Sequence, residues 1–412
     1  REGCAAISPQ KCIDCGECIR VCPYKAKKAT HDRLDSLKNY KYKIALPAPA
    51  LYGQFDNLDD IDFVVQGLYD MGFDDVFEVA KAAEMVSGYT RQYLRSENIP
   101  KPVISSACPV IVRLISMRFP LLCKNILPIL PPVEVAGKFA REKALCEHPE
   151  LSDSDIGCFF ISPCPAKVSY VKNSFSGTKS NVDAVLSVSD VYFELVSAMN
   201  KIKVPEKSTE AGCVGVSWAT AGGESTAVFN ERYLAADGIE NVIRVLDQIE
   251  NSDFPELEFV ELNACNGGCV GGVMTVANPY IAKARIHSLR RYLPVSPNYH
   301  PSDGEMDGGV VMPDVESIPQ TPLSDDRAEA VRMMSDIQEI RKDLPDLDCG
   351  SCGAPTCASF AEDIVRGEAS ADDCVVFMRH VFHDYIKRHV QQSRIAEEKA
   401  ADGENERRKA DT

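Results

Sequence analysis

Apolar and polar residues follow two different periods along the first part of the chain. Short apolar runs predict buried strands, and stretches in which apolar residues recur about every 3.6 positions predict helices. The predicted strands are 44–46, 75–78, 102–105, 156–161, 184–188 and 257–262. The predicted helices are 61–71, 80–94, one that begins at 110, 133–146, 191–201 and 239–249. This alternation predicts an α/β fold of mostly parallel sheets flanked by helices.

The pattern changes in the second part of the chain. Residues 294–322 are rich in Pro, Asp, Ser and Gly, which is typical of a linker, here one that could wrap the preceding domain. Helical spacing returns at 327–344, 359–366 and 375–400, and the last of these segments becomes almost wholly charged. The last segment is either a simple terminal helix or a helix that continues into an output module.

Composition narrows the range of functions. The chain has 412 residues, a net charge of -16 and a pI near 5.0, which argues against nucleic acid or an anionic membrane as a partner. No apolar run reaches the roughly 18 residues that a membrane span needs, so we expect a cytoplasmic protein. Because the first residue is Arg1, we expect a fragment or a processed chain.

Cysteines are unusually frequent, at 17, and no secretory signal precedes them, which indicates a reducing compartment and metal ligation. Twelve of them fall into three ligand sets, and the other five have no ligand spacing. We interpret these five as packing residues: Cys4, Cys123, Cys146, Cys158 and Cys213.

The central ligand set follows the ends of three predicted strands. Its members are Cys108, Cys164, Cys265 and Cys269. Ligand sites of alternating strand and helix folds form at strand ends, so these thiolates could bind one iron-sulfur cluster. The glycines after Cys265 would let the backbone approach a bulky inorganic group. The alternative is that all of them are buried, apolar cysteines.

The sequences around these cysteines resemble the three signature motifs of the iron-only, or FeFe, hydrogenases. The motifs are SSACP at 105–109, SPCPAK at 162–167 and NACNGGCVGG at 263–272, and the resemblance extends over 43–293. It implies an H-cluster domain in which the four cysteines hold a cubane. Cys269 would also bridge to a di-iron unit that carries carbonyl, cyanide and dithiolate ligands.

The resemblance also implies roles for residues around the di-iron unit. Lys167 matches the lysine that hydrogen-bonds a cyanide ligand, and Ala48 and Pro49 match a wall of the pocket. Ser162 and Asn263 stand where the fast enzymes carry methionines, so we expect a more polar pocket with altered outer-shell contacts.

Proton transfer departs from the pattern of the fast enzymes. Ala107 occupies the position of a cysteine that relays protons, and a methyl group can neither accept nor donate one. Tyr89 and Thr90 stand where relay carboxylates are expected, and Tyr170 replaces a glutamate partner of Lys167. These differences predict slow turnover.

The N-terminal ligand set has the spacing of a bacterial ferredoxin run. Its members are Cys12, Cys15, Cys18 and Cys22. In two-cluster ferredoxins the fourth cysteine binds the other cluster, so a second run is expected upstream, and the sequence contains none. Either the partner run is lost, with Cys4 as a substitute ligand for the remaining cluster, or all four cysteines close on one cluster.

The C-terminal ligand set lies between predicted helices. Its members are Cys349, Cys352, Cys357 and Cys374. Four cysteines this close could hold zinc or an iron-sulfur cluster. The set resembles a small 4Fe-4S module that follows the catalytic domain in a sensory subgroup of FeFe-hydrogenases, often called group D, and we therefore favour iron-sulfur.

These patterns predict a partial ferredoxin-like domain at 1–42, an H-cluster domain with its trailing linker at 43–322, a 4Fe-4S domain at 323–376, and a terminal helix and tail at 377–412. The resemblance implies a slow, sensory FeFe-hydrogenase that interconverts dihydrogen with protons and electrons through accessory 4Fe-4S clusters. Its partners would be a ferredoxin or a signalling output module, the hydrogenase maturation proteins and, in a homodimer, a second copy. The alternatives are a non-catalytic iron-sulfur protein without the di-iron unit and an electron-transfer subunit.

Overall fold

The computed structural model describes residues 7–173, 179–251, 254, 256–298, 308–318, 322–354, 356–383 and 385–390. Compact packing divides the chain after Ile318. The larger unit is Gln10–Ile318, and the smaller unit contains the described residues before and after it. In the described part of the chain, no helix combines the length and the apolar character needed to cross a bilayer.

The elements follow one another as strands and helices. The strands are β1 (Tyr42–Pro47), β2 (Asp75–Val76), β3 (Val103–Ile104), β4 (Ile156–Ser162), β5 (Ala184–Ser187), β6 (Tyr233–Asp237) and β7 (Phe259–Asn263). The helices of the larger unit are α1 (Glu17–Arg20), α2 (Asp62–Asp70), α3 (Val79–Leu94), α4 (Pro109–Arg118), α5 (Pro132–Glu147), α6 (Pro165–Asn173), α7 (Val188–Met199), α8 (Cys213–Ser217), α9 (Gly223–Ala227), α10 (Ile239–Glu250) and α11 (Pro279–Leu289). The smaller unit has α12 (Arg327–Asp343) and α13 (Cys357–Val365), and residues 375–383 and 385–390 are also helical.

Two parallel sheets organise the larger unit. The first has the strand order β2-β1-β4-β5, and the second has the order β3-β7-β6. All neighbouring strands in both sheets pair in parallel, which confirms the predicted α/β class. The prediction missed β6 and several helices, among them α6 and α11. β6 lies at the edge of its sheet with every residue partly or fully exposed, so it lacks the apolar run that marks a strand in sequence.

Strand β4 is central to the first sheet, and all of its residues are buried. Because successive side chains of a strand point to opposite faces, its residues contribute alternately to two hydrophobic cores. Cys158 and Phe160 belong to one core, and Phe159 and Ile161 belong to the other. Burial on both faces explains why β4 appears in the sequence as a continuous apolar run.

The predicted linker returns to the larger unit as a strap, defined here as residues 310–318. The amide of Leu130 donates to the Val310 carbonyl at 2.8 Å, and the amide of Met312 donates to the Pro128 carbonyl at 3.1 Å. The amide of Ile318 donates to the carbonyl of Ser116 at 2.8 Å. The strap therefore packs along the larger unit instead of running free through solvent.

The cysteines outside the ligand sets have different environments. Cys158 is fully buried, and Cys123 and Cys213 are partly buried, as expected for packing residues. Cys146 is exposed, so its interpretation as a packing residue is wrong: it lies in the last turn of α5, on the face away from the core. Cys4 lies outside the described residues.

Candidate metal centre

The central cysteines lie at the carboxyl ends of parallel strands from both sheets. Cys108 follows β3 and caps the N-terminus of α4, and Cys164 lies between β4 and α6. Cys265 follows β7, and Cys269 begins a short 3-10 turn. All four side chains line one cavity, together with Lys167. Segments that are far apart in sequence therefore converge on a single site.

Glycines allow the loops of this site to approach one another. Gly272 lies so close to Pro163 that an added Cβ atom would overlap the Pro163 carbonyl. Gly268 has φ +91° and packs in the same way against the backbone of Thr220 and Ala221. The amide of Met274 also donates to the Pro163 carbonyl at 3.1 Å, which ties the loop of Cys269 to the loop of Cys164.

The electrostatics of the cavity disfavour thiolates in the absence of a bound positive charge. Burial, reinforced by neighbouring cysteines, raises the pKa of Cys164 to about 12 and that of Cys265 well above its usual value. Burial also raises the pKa of Cys269 to about 11, although the Lys167 ammonium opposes this effect. Metal ligation needs thiolates. A cationic group among the four sulfurs would remove this penalty, so the donor set fits an iron-sulfur cluster.

Cluster ligation also agrees with the spacing of the side chains. Among the described residues, no three His, Cys, Asp or Glu side chains come close enough to hold a single metal ion. A lone zinc ion needs all its sulfurs at about 2.3 Å, whereas a cluster presents several irons to ligands that lie farther apart.

The other predicted pocket residues occupy different positions. Ala48, Pro49, Ala107 and Asn263 line the cavity. Ser162 is fully buried, and its hydroxyl bonds to both the amide and the carbonyl of Cys164 at 3.1 Å, so it holds the turn of that cysteine.

Lys167 spans the cavity from α6. Its Nζ donates to the Ala107 carbonyl at 3.4 Å and lies 5.7 Å from the centre of the Phe160 ring. The ammonium also acts on Cys164 and Cys269, because its charge lowers the pKa of both thiols against the effect of burial. The lysine is therefore held where it can donate to a ligand inside the cavity.

Two buried glutamates complete the wall of the cavity, and sequence reasoning missed both. Glu224 accepts hydrogen bonds from the Ser105 hydroxyl at 2.7 and 2.8 Å, and Ser105 Oγ in turn accepts from the Ala107 amide at 3.1 Å. Glu261 accepts from the Asn263 side chain at 2.8 Å and from two backbone amides of the 222–225 turn. For Glu261, the sequence contained one signal, which is an acidic residue inside the apolar run of β7.

The pKa values of the two glutamates are linked. Burial and the nearby Glu261 charge raise the pKa of Glu224 well above its usual value. Burial raises the pKa of Glu261 too, against the opposing effect of its hydrogen bonds. Two adjacent buried carboxylates resist ionising together, so this wall of the cavity favours the protonated form of at least one of them.

The last cysteine of the N-terminal set has a different electrostatic environment from Cys15. Burial raises the pKa of Cys15, and the neighbouring Cys12 and Cys18 add to the effect. In contrast, backbone amides, first that of Ala26, lower the pKa of Cys22. The proposed substitute ligand Cys4 lies outside the described residues, so the alternatives for this cluster stay open.

The N-terminal cysteine loop packs beside the loop that carries Cys265 and Cys269. Arg20 donates from Nη2 to the Gly271 carbonyl at 3.0 Å. Gly16, with φ +80°, lies against the side chain of Val273. The backbone of the first cysteine loop is therefore in direct contact with the central site.

The C-terminal cysteines surround the small core of the second unit. Cys357 and Cys374 are buried in that core beside Phe360, Cys352 is partly buried, and Cys349 is exposed. The Asp348 carboxylate accepts from the Cys357 amide at 2.6 Å and fixes the start of α13. The arrangement keeps all four residues in one small unit.

Three family models match the chain. Residues 41–230 and 218–273 match the iron only hydrogenase large subunit, C-terminal domain. Residues 5–28 match the 4Fe-4S binding domain, and residues 344–376 match a family described as an Fe-S cluster.

Curated relatives match short stretches. The corrinoid/iron-sulfur protein large subunit of Moorella thermoacetica is 53% identical over 36 residues, which is 9% of this chain and 8% of that protein. An uncharacterized protein of Methanocaldococcus jannaschii is 37% identical over 51 residues, 12% of this chain and 23% of that protein. The chain thus spans less than a quarter of either relative.

Solved structures match the fold over a longer range. A variant of the FeFe-hydrogenase HydA1 from Chlamydomonas reinhardtii aligns with a TM-score of 0.51 and 15% identity, covering 67% of this chain and 94% of that one. An FeFe-hydrogenase structure that addresses oxygen inactivation of the H cluster aligns with a TM-score of 0.50 and 15% identity, over the same shares of both chains. At this identity the likeness shows the fold alone.

Proposed function

The chain belongs to the iron-only hydrogenase large-subunit family, and on that basis we propose that it is a slow, sensory FeFe-hydrogenase that interconverts dihydrogen with protons and electrons. The observation that carries the proposal is the convergence of Cys108, Cys164, Cys265 and Cys269 with Lys167 in one buried cavity. The cysteine content supports a reducing, cytoplasmic setting.

The cavity residues would hold an H-cluster, a cubane joined to a di-iron unit with carbonyl, cyanide and dithiolate ligands. The four cysteines would bind the cubane, and Cys269 would also bridge to the di-iron unit. Lys167 would donate to a cyanide ligand, and Ala48 and Pro49 would form one wall. When bound, the di-iron unit supplies the open iron position at which dihydrogen is cleaved or formed.

The protein's own part in proton transfer explains the proposed low rate. Ala107 lines the cavity but has no group that can carry a proton. Glu224 and Glu261 can hold one at another wall, and Ser105 links Glu224 to the backbone beside Ala107. We infer that these carboxylates take the place of the missing relay, although their raised proton affinity makes release slow.

Electron transfer would use the accessory cysteine sets. The packing of the N-terminal loop against the loop of Cys269 supports its cluster as the neighbour of the cubane. The C-terminal set would hold a further 4Fe-4S cluster and pass electrons or a conformational signal to a ferredoxin, to an output module or across a homodimer. Dedicated maturation proteins would supply the di-iron unit.

One alternative has a specific observation in its favour. Without a relay residue at Ala107, the chain could be a non-catalytic iron-sulfur protein that holds only the central cubane. Lys167 argues against this alternative, because holding a cubane alone does not require a partly buried ammonium that lines the cavity beside Ala107.

Infrared spectroscopy of maturated protein tests the proposal. We expect carbonyl and cyanide stretching bands, and we expect Cys269→Ala to lose them because this thiolate would be the covalent link to the di-iron unit. A preparation with a full central cubane, supplied with the di-iron precursor and still without bands, would support the non-catalytic alternative.

A further inference from the structure

A second cavity adjoins the candidate metal centre. It has a volume of about 320 Å³ and lies among α4, α5, α6 and the strap. Three residues, Ala107, Pro109 and Lys167, line both this cavity and the central one. The two spaces therefore meet beside Ala107, at the edge of the metal centre.

The strap forms the outer wall of the second cavity. Backbone hydrogen bonds fix Met312 to Pro128 and Ile318 to Ser116. Between these points, residues 313–317 make no backbone hydrogen bond to another described segment, and 313–316 line the cavity. Residues 313–317 therefore form a roof over the cavity, and hydrogen bonds hold this roof at its two ends.

The inner walls combine apolar and polar side chains. Val112 and Met312 contribute aliphatic surface. The serines on the wall direct their hydroxyl hydrogens elsewhere: Ser106 donates to the Ile129 carbonyl at 2.6 Å, and Ser116 donates to the Val112 carbonyl at 2.9 Å. A continuous chain of ordered water needs polar partners along its length, and the hydroxyl hydrogens of these two serines are already used by the protein.

Charges at the two ends restrict what can pass. Asp314 and Glu316 are exposed at the outer edge and disfavour anions. The Lys167 ammonium at the inner end disfavours cations. Small uncharged molecules are repelled neither by the carboxylates at the outer edge nor by the Lys167 ammonium at the inner end.

We propose that this cavity is the access route by which small uncharged molecules, such as dihydrogen and carbon monoxide, reach the metal centre beneath the roof formed by residues 313–317. The identity of the destination rests on the proposed function, but the route itself does not. The roof lies outside residues 41–273, which match the hydrogenase family model.

Xenon tests the route without requiring a loaded di-iron unit. Crystals of the full chain pressurised with xenon should show an atom beside Val112 and Met312. Ser116→Phe should fill the cavity and abolish that site, whereas Ser317→Phe, on the exposed side of the roof, should retain it. A wild-type cavity filled by ordered water and free of xenon would overturn the proposal.

Carbon monoxide binding to maturated protein, followed by infrared spectroscopy, tests passage. Ser116→Phe should slow binding by about tenfold or more, and Ser317→Phe should leave the rate unchanged. Val315→Gly should speed binding by loosening the roof, and it provides a second readout if Ser116→Phe does not fold. Equal rates in wild type and Val315→Gly would contradict the route. Failure to load the di-iron unit would count against the proposed function, and the xenon result would still decide the route.

Discussion

The central and C-terminal cysteine sets are held in opposite ways. The central cysteines follow strands of two buried sheets and are enclosed with Lys167 in a cavity. The C-terminal cysteines lie on loops and helix ends around a small core, where Cys349 is exposed. Enclosure suits a group that must be protected from water, and exposure suits a cluster that exchanges electrons with a partner.

The pKa values of the cysteine thiols also differ between the central and the C-terminal sets. Burial raises the pKa of Cys164 to about 12, whereas hydrogen bonds from Ser351 lower the pKa of Cys349. The central thiols therefore depend on the charge of the cluster to become thiolates, but Cys349 is closer to its ligating form without a cluster. The comparison predicts that the two sites respond differently to similar changes.

The largest difference should come from a glycine in each site. Gly272→Ala places a methyl group into the Pro163 carbonyl, so we expect it to separate the loops of Cys164 and Cys269 and to abolish the central cubane. Gly350→Ala at φ +68° meets no close atom, so it should cost only about 1–2 kcal/mol of backbone strain and retain its cluster. Iron content and thermal unfolding measure both effects, and equal iron loss would remove the distinction.

Removal of one buried C-terminal ligand should affect one site only. Dihydrogen should reduce a spectroscopically distinct C-terminal cluster in wild type, and Cys357→Ala should abolish that electron paramagnetic resonance signal. Because the central ligands come from other elements, the infrared bands of the di-iron unit should persist. Zinc in place of iron, in full-length protein reconstituted without oxygen and offered both metals, would make this site a structural clip.

A moderate effect is expected inside the central cavity. Ala107→Cys supplies the missing proton carrier, so the rate of hydrogen evolution should rise. General acid-base groups typically contribute a factor of about 10²–10⁴. We expect a gain of about tenfold, because the rest of the proton path limits the rate. Ala48→Ser, a similar small change elsewhere on the cavity wall, serves as the control. An unchanged rate would place the limiting step at Glu224 and Glu261 instead.

The smallest effect concerns stability and pH. Burial raises the pKa of Glu224 above its unfolded value, so its favourable neutral form is fully present below about pH 4.5 and stability is lost as pH rises above that value. Glu224→Gln should therefore raise Tm at neutral pH, by about 1–2 °C per kcal/mol in a chain of this size, and should change Tm little near pH 4. The Tm values are measured on cluster-free protein.

Glu258 provides a control of opposite sign. Hydrogen bonds from Asn230 and Lys101 lower its pKa, so its contribution to stability is present at neutral pH and lost as pH falls. Glu258→Gln should therefore lower Tm at neutral pH more than at about pH 4. The same pH trend in both variants would contradict the assignment of Glu224 as a protonated, buried carboxylate.

The sequence predicted the features that depend on local pattern. β4 and β7 are apolar runs that end near cysteines, so both the strands and the meeting of their ends could be anticipated. The pairing of Glu224 with Glu261 could not, because it joins a glycine-rich turn to a strand through packing alone. The sequence predicted a linker that could wrap the domain, but it could not place the roof over the second cavity, since the position of the linker depends on a few backbone hydrogen bonds.

The register of the sheets has a consequence for folding. Val103 pairs with Phe259, and Ile44 pairs with Cys158, so both sheets join segments separated by more than a hundred residues. Contacts this distant in sequence form slowly, because a long loop must close before they contribute any stability. Cys108 and Cys265 cannot meet until the Val103 pairing is made. We therefore expect the chain to complete its sheets before it can accept the central cluster, so that metal loading follows folding.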